Sequence, residues 1–273
     1  MQEKLYGVST RSSACSDIEV HVEAIRNRGY SVLPSVLSPD QLTEWRAKID
    51  RTYLIQEEEF GKDRFAAMKE LDLCRAPLLY DRAFISLAEH PRIVEIVKAI
   101  LGEWFILNLQ NAIINRPQIE HHQSSWHRDL PYQNFVISKP LSINALFAID
   151  DFSAQTGGTQ FLPFSHKIEY LPSSQYIENN SIQGEAQAGS VILFDSMVFH
   201  RAGANSSANI RRAINQMYTV PILKQQYDFA RFLADERLTF PEHTQRLLGF
   251  TSQVPLSDRE WRESRAAKLG VAL

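Results

Sequence analysis

Short apolar segments separated by turn residues fill the chain between residues 104 and 221. Each segment is rich in β-favouring residues and is bounded by glycine, proline, asparagine or aspartate, which is the pattern of short strands joined by turns. Several such strands in succession indicate a β-sandwich or jelly roll. The segments are WFILNLQNAIINRP, LSINALFAID, GTQFLPF, GSVILF, MVFHRAG and RRAINQMYTVP.

Helical patterns precede and follow this β-rich region. Ser38 and Pro39 supply an N-cap and a first-turn proline for one helix, and Gly102 supplies a C-cap for another. Helical periodicity returns after the last strand segment. No repeat or low-complexity linker divides the chain. We therefore predict one domain over residues 1–273, mainly β, with a barrel core at about 104–221 and helices on both sides of it.

Composition excludes several classes of protein. The formal net charge of −3 gives no general affinity for nucleic acid or anionic membranes. Cys15 and Cys74 form neither a disulfide framework nor a zinc-ligand spacing. No run approaches the ~20 apolar residues of a membrane span, and the polar, Ser-rich residues 1–16, which we expect to fray, contain no apolar signal core. We expect a cytoplasmic protein that acts on a small molecule, and the sequence leaves its oligomeric state open.

His127 and Asp129 form the only His-x-Asp of the chain, in the segment SSWHRDLPY. In a strand, residues i and i+2 project to one face, so both side chains could point at one place with Arg128 turned away. His200 follows a buried strand segment and a short turn, from which a neighbouring strand could deliver it. Two histidines and one carboxylate leave three open positions, as in non-haem Fe(II) oxygenases. Taken singly, either motif more often has a structural role.

The order of several motifs makes this signal specific. His-x-Asp is followed by GGTQFLPFSHK (157–167), GSVILFDSMVFHRAG (189–203) and NIRRAINQMY (209–218), and it is preceded by GYSVLPSVLSPDQL. This set resembles the phytanoyl-CoA dioxygenase family over about residues 28–221. The resemblance implies a double-stranded β-helix core and an oxygenase that uses Fe(II), 2-oxoglutarate and O2, and that releases succinate and CO2. It also implies three iron ligands: His127, Asp129 and His200.

The resemblance further implies an arginine eleven residues after the distal histidine, where it binds the far carboxylate of 2-oxoglutarate. That position is Arg211, and a guanidinium fork suits a carboxylate. Arg212 is the alternative candidate for this role. Strand alternation places the two arginines on opposite faces of the strand, and we favour Arg211 because its face continues through small and polar side chains. Gln110 and Asn144 are further candidates for the co-substrate pocket, although Gln110 could be an ordinary strand residue. Ala202 stands where some family members have a hydroxyl residue.

Three residues beside the ligand motif are candidates for lining the substrate cavity: Trp126, Arg128 and Tyr132. Core or rim packing is the alternative for the two aromatic residues. His121 and His122 fall in a polar stretch, and we predict that they are loop residues rather than iron ligands.

The sequence says more about the type of reaction than about the substrate. The carboxylate of Asp129 favours hydroxylation, or another oxidation such as desaturation or ring formation, because related halogenases have a small residue there. For the substrate we expect a small polar metabolite, and the family resemblance does not establish a CoA thioester. Two alternatives are a catalytically silent ligand-binding or sensor module on this fold, and a cupin-like metalloenzyme that does not use 2-oxoglutarate. The intact ligand set disfavours the first, and Arg211 disfavours the second.

Overall fold

A computed structural model describes residues 6–8, 12–119 and 123–272 of the chain, and the expectation that residues 1–16 fray falls partly outside this range. The helices in the described part are α1 (Asp17–Arg28), α2 (Pro39–Phe60), α3 (Lys62–Ala67), α4 (Ile85–Ala88), α5 (Pro91–Leu101), α6 (Ser174–Asn180), α7 (Phe229–Phe232), α8 (Glu242–Leu247) and α9 (Asp258–Leu269). The strands are β1 (Tyr30–Leu33), β2 (Leu73–Arg75), β3 (Ile106–Asn115), β4 (Ser142–Ala148), β5 (Gln160–Phe161), β6 (Ile182–Gln183), β7 (Val191–Asp195), β8 (His200–Arg201) and β9 (Arg211–Thr219). None of the described helices combines the length and the apolar character that a bilayer crossing requires.

Two antiparallel sheets form the core. The larger has the strand order β1-β7-β4-β9-β3-β2, and the smaller has the order β6-β5-β8. Phe161 of the small sheet stacks on Tyr30 of the large sheet, with ring centroids 5.2 Å apart, and meets the edge of Phe194 at 5.3 Å. Non-consecutive neighbours and two facing sheets are the arrangement of a jelly roll, and the predicted fold class is confirmed.

The two faces of the large sheet bury different partners. Ile113, Leu146, Phe194 and Ala213 face the small sheet and pack with Phe161. The alternate positions along the same strands pack in a second core with the helices, which includes Ala112, Ile114, Phe147, Leu193 and Ile214. β3, β4 and β7 are buried on both faces: the sequence of β7 is a nearly continuous apolar run, and those of β3 and β4 also include buried polar residues such as Asn111 and Asn144. The face toward the small sheet is the one that carries the candidate site.

Local capping explains where the long helices begin and end. The Ser38 side chain accepts a hydrogen bond from the backbone N–H of Gln41, and the Gln41 side-chain oxygen accepts one from the backbone N–H of Ser38, so α2 starts with a capping box. Gly102 ends α5 with a φ of 92°. These boundaries confirm the helix starts and stops that were predicted from the sequence.

Gly29 joins α1 to β1 at a place where no side chain fits. Its φ is +94°, in the left-handed region, and a Cβ there would lie 2.3 Å from Cγ2 of Val198 and 2.7 Å from Nδ1 of His166. Its carbonyl accepts the N–H of Asp195. Gly29 therefore lets α1 approach the turn that precedes His200.

We expect Gly29→Ala to lower the free energy of unfolding by about 2–5 kcal/mol, because the cost of a left-handed backbone adds to the cost of the overlap with Val198 and His166. Gly270→Ala is the matched control, since Gly270 is also left-handed, with a φ of +65° and a ψ of 27°, and has no atom within 4 Å of the added Cβ. It should cost only the backbone term of about 1–2 kcal/mol. Urea denaturation of both variants measures the difference, and equal losses would contradict the packing argument.

Candidate metal centre

Three side chains converge on one small space inside the barrel. The ligand atoms of His127, Asp129 and His200 all lie within 4.8 Å of one another. Nε2 of His127 is 3.7 Å from Oδ1 of Asp129, and Nε2 of His200 is 3.6 Å from the same oxygen. These distances are too long for hydrogen bonds, but they suit three donors that share one cation. The fold therefore brings together the three side chains that the sequence motifs had singled out.

The local backbone differs from the strand that was expected at the motif. His127 forms a single bridge with His200: the N–H of His127 donates to the carbonyl of His200 at 3.0 Å, and the N–H of His200 donates back at 3.1 Å. The N–H of Asp129 donates to the carbonyl of Ser196 at 3.1 Å. These backbone hydrogen bonds tie the extended segment to the residues around His200, so the backbone there helps to hold all three ligand candidates in place.

Both imidazoles present the same nitrogen to the shared space. Nδ1 of His127 lies 2.9 Å from the carbonyl of Ser125, and Nδ1 of His200 lies 2.9 Å from the carbonyl of Val198. A carbonyl only accepts, so each Nδ1 carries a proton, and in the neutral form of either ring the lone pair lies on Nε2. Burial lowers the pKa of His200 to about 4, which keeps this ring neutral at physiological pH. Nε2 of His127 is buried and has no hydrogen-bond partner among the described residues.

Asn144 fixes the orientation of the carboxylate. Its Nδ2 donates to Oδ2 of Asp129 at 2.6 Å and to Oδ1 of Asn215 at 3.1 Å, and its own Oδ1 accepts from the hydroxyl of Ser196. With Oδ2 occupied, Oδ1 of Asp129 is the oxygen that faces the histidines. The expectation that Asn144 contacts the co-substrate is replaced by this contact with Asp129. The sequence missed Ser196, because the strand pairing that brings it to Asn144 is not visible in it, whereas Asn215 lies on the Arg211 face of β9, where strand alternation had placed it.

Arg211 extends into the cavity that the three side chains line. This cavity has a volume of about 40 Å³, and Asn215 also lines it. The guanidinium is 3% exposed and donates from Nη2 to the carbonyl of Gly157 at 3.0 Å, while its Nε is buried without a partner. Burial lowers the pKa of Arg211 to about 10, so it remains charged at neutral pH. No carboxylate of the described residues lies within ion-pair distance of it. A buried guanidinium without a carboxylate partner favours the binding of an anion beside it.

Arg212 lies on the opposite face of β9. Its Nε and Nη2 each bind a carboxylate oxygen of Asp50 on α2 at 2.8 Å, and its Nη1 binds Oδ2 of Asp150 at 3.1 Å. Both carboxylates compensate its charge, so it ties α2 to the barrel and has no unpaired donor toward the cavity. The side chains of Arg211 and Arg212 thus lie on opposite faces of β9, as strand alternation predicted.

Comparison with known proteins gives the affiliation of the chain. A sequence model of the phytanoyl-CoA dioxygenase (PhyH) family matches residues 25–213, more than half of the chain. The chain belongs to the phytanoyl-CoA dioxygenase family. An uncharacterised protein of Mycobacterium tuberculosis, Rv1501, is 37% identical over 244 residues, which cover 85% of this chain and 86% of that protein. The family resemblance drawn from the ordered motifs is thereby confirmed.

More distant relatives agree with this affiliation. The dioxygenase hkm4 of Aspergillus hancockii is 23% identical over 80% of this chain and 76% of its own length. Among solved structures, the epimerase SnoN in complex with Fe3+, α-ketoglutarate and nogalamycin RO matches with a TM-score of 0.58 at 19% identity, over 75% of this chain and 84% of SnoN. At this identity the match concerns the fold, and it agrees with the jelly-roll core.

Gln110 does not lie where the family comparison at the sequence level suggested. It is fully buried on the face of β3 that packs against the helices, and its Nε2 donates to the carbonyl of Phe84 at 2.9 Å and to Oε1 of Gln216 at 3.0 Å. Gln110 pairs with Gln216, whereas Asn111 and Asn215, one residue away on each strand, occupy the other face. The co-substrate assignment of Gln110 is wrong, and the ordinary strand role was the right alternative.

Trp126 and Tyr132, two of the three candidate substrate-lining residues, lie outside the metal cavity. Trp126 is half-buried against Leu162, Ile177 and Phe199, with the Arg201 guanidinium 5.0 Å from its ring centre, so it packs at the barrel rim. Tyr132 is 95% exposed and lines a wide groove that also reaches Asp129.

His121 and His122, which the sequence placed in a loop away from the metal, lie outside the described residues.

Arg128 is the third candidate, and it points away from the cavity as strand alternation predicted. It donates to four backbone carbonyls: Met197 at 2.8 Å, Glu169 at 3.0 Å, Ser165 at 3.0 Å, and Ile168. Its guanidinium also lies 3.8 Å from the centre of the Phe199 ring. Arg128 therefore clamps the 165–169 turn to the turn that precedes His200, and its assignment as a substrate-lining residue is wrong.

We expect Arg128→Ala to lower the free energy of unfolding by about 2–4 kcal/mol, because it removes several charge-assisted hydrogen bonds to partly buried carbonyls. Arg128→Lys should recover only part of this loss, since one ammonium cannot reach carbonyls in several directions. Arg64→Ala is the control: Arg64 is exposed, and such a change usually stays within about 0.5 kcal/mol. Urea denaturation measures all three, and an unchanged Arg128→Ala variant would show that the clamp is not structural.

Proposed function

We propose that this protein is an Fe(II)- and 2-oxoglutarate-dependent oxygenase that oxidises a small organic molecule. The observation that carries the proposal is the meeting, in one cavity, of two imidazole Nε2 atoms, one carboxylate oxygen and one guanidinium that has no carboxylate partner among the described residues. Family membership supports the same class, since hkm4 is named a dioxygenase. SnoN, which shares the fold, was solved with iron and α-ketoglutarate.

His127, Asp129 and His200 would hold the iron. Two neutral imidazoles and one carboxylate are the donor set of a 2-His-1-carboxylate site, which leaves positions for co-substrate and oxygen. The carbonyls of Ser125 and Val198 keep each Nε2 free, and Asn144 keeps one oxygen of Asp129 directed at the histidines. These contacts orient the ligands before any metal binds.

Arg211 would bind the distal carboxylate of 2-oxoglutarate. Its charge is buried, lacks a carboxylate partner among the described residues, and lies in the same cavity as the metal candidates. A 2-oxoglutarate dianion bound there would compensate the charge of Arg211 and accept two charge-assisted hydrogen bonds from its guanidinium. This feature also argues against a cupin-like enzyme without 2-oxoglutarate, which would have no use for an unpaired buried cation.

The bound iron and 2-oxoglutarate would supply the oxidative chemistry, in which one O2 converts 2-oxoglutarate to succinate and CO2 and transfers its second oxygen atom to the substrate. The chain supplies ligation, orientation and shielding. Phe194 packs edge-on against the His200 ring at 4.8 Å, and Phe161 lies 6.0 Å away, so apolar rings exclude water from that side. Asp129 fills the position that halogenases leave to chloride, so we propose hydroxylation or a related oxidation as the outcome.

The two adjacent arginines provide a test of the 2-oxoglutarate site. Arg211→Ala should weaken the binding of 2-oxoglutarate to the Fe(II)-loaded protein on the order of 100-fold, because the carboxylate loses its buried cation. Arg212→Ala removes the link between α2 and the barrel, so it should reduce stability but change the 2-oxoglutarate Kd by less than about threefold. Anaerobic calorimetry measures both values. If Arg212→Ala weakened binding and Arg211→Ala did not, the assignment of the anion site would be overturned.

A further inference from the structure

A wide groove opens on the other side of Asp129 from the metal cavity. It has a volume of about 650 Å³, within the range of pockets that hold drug-sized molecules. Asp129 lines both this groove, which we call the outer groove, and the metal cavity. Arg211, Asn215 and Met217 alternate on one face of β9; the first two line the metal cavity and Met217 lines the outer groove. A molecule in the outer groove would therefore approach the metal candidates from the end opposite to Arg211.

The floor and walls of the outer groove are mostly apolar. Leu109 and Met217 are buried beneath it, at 8% and 4% exposure. Leu130, Phe135, Leu141 and Leu223 complete the apolar lining. An apolar lining of this size favours a ligand with a matching apolar surface.

Some polar groups of the lining, those of Asn108 and Gln225 among them, are already used by the protein. Asn108 donates to the carbonyl of Lys224 and accepts the N–H of Gln226, and Gln225 donates to the carbonyl of Leu107. The amide oxygen of Gln133 is buried without a partner among the described residues. A sugar would leave many hydroxyls unpaired in such a place, which costs about 1–3 kcal/mol for each buried group. Gln133, Tyr132, Lys224 and Gln226 can meet a few polar groups of a ligand at the edge of the groove, but its apolar floor does not match a polyol.

The charges of the outer groove also limit its ligand. Lys224 is the one cation among its lining residues, and Asp129 is the one carboxylate. A nucleotide or the phosphorylated part of CoA carries several negative charges, which proteins usually meet with several cations or a helix N-terminus. A neutral or singly charged ligand matches the lining better.

Two aromatic side chains stand in solvent at the rim of the outer groove. Tyr132 is 95% exposed and Phe135 is 50% exposed, and both belong to the loop that follows the metal motif. Aromatic rings exposed beside a cavity gain contact area when a flat or ring-shaped ligand lies against them. The loop holding them begins at Asp129, so rings bound there would lie next to the metal candidates.

We propose that the substrate is a largely apolar, ring-containing molecule, neutral or with a single charge, which lies in the outer groove between Met217 and the aromatic rim. This proposal rests on the proposed function for its chemistry, but not for its binding. It replaces the small polar metabolite that was expected from the sequence. It also excludes sugar phosphates, nucleotides and CoA thioesters as primary substrates.

Binding is tested with 1-anilinonaphthalene-8-sulfonate, an apolar ring probe with one negative charge, on the full-length protein without iron. We expect saturable fluorescence that 2-naphthoic acid displaces and that glucose 6-phosphate and free CoA do not. Tyr132→Ala should weaken binding about fivefold, as the loss of one ring contact implies. Tyr170→Ala is the matched control, because Tyr170 is 72% exposed but does not line the groove, and it should change binding by less than twofold. Equal effects of the two variants, or displacement by CoA, would overturn the proposal.

Turnover separates this proposal from the proposed function. With Fe(II), 2-oxoglutarate and O2, we expect a panel of bicyclic to tetracyclic compounds to stimulate succinate formation and a matched panel of sugars, sugar phosphates and acyl-CoA thioesters to leave it at the background rate. Stimulation by the polar panel alone would overturn the substrate class while leaving the oxygenase assignment intact. If the protein binds iron but makes no complex with 2-oxoglutarate, the oxygenase assignment fails, whereas a Tyr132-dependent probe site would still support the groove as a ligand site.

Discussion

The paired hydrogen bonds between the backbones of His127 and His200 hold the candidate site together. They join positions 73 residues apart, and hydrogen bonds from Asp129 to Ser196, from Arg128 to Met197 and from Ala202 to Gln123 tie the same segment to the backbone around His200. The His200 side is rigid because β7 and its following turn are buried on both faces. The His127–Asp129 segment is thereby held against the buried backbone around His200. The three donor side chains meet although His127 does not lie in a regular strand.

Charge balance gives the cavity its selectivity. Its described lining contains one carboxylate, Asp129, one guanidinium, Arg211, and two imidazoles, of which burial keeps that of His200 neutral. Adding a divalent cation beside Asp129 and a dianion beside Arg211 leaves the sum of charges unchanged, whereas adding either one alone does not. Because uncompensated charge is costly in a buried space, metal and co-substrate should strengthen each other's binding. The same reasoning explains why Arg212, which has two carboxylate partners, does not compete.

The sequence predicted the parts of the structure that local physics determines. Capping residues such as Ser38 and Gly102 located the helix ends, and strand alternation separated Arg211 from Arg212. It failed where long-range pairing decides. Counting back from His127 could not tell which face of β3 Gln110 occupies, because that depends on its register with β9. The carbonyls that bind Arg128 come from about 40 and 70 residues away, and the apolar lining of the outer groove is assembled from separate segments, so neither could be predicted from the local sequence.

The central claim is that His127, Asp129 and His200 bind iron in a cavity that also takes 2-oxoglutarate. The most direct measurement is anaerobic addition of Fe(II), and then of 2-oxoglutarate, while the visible spectrum is recorded. The account predicts a weak charge-transfer band that appears only with both components and is lost in Asp129→Ala while that variant remains folded. A folded wild-type protein that binds iron but shows no band with saturating 2-oxoglutarate would contradict it.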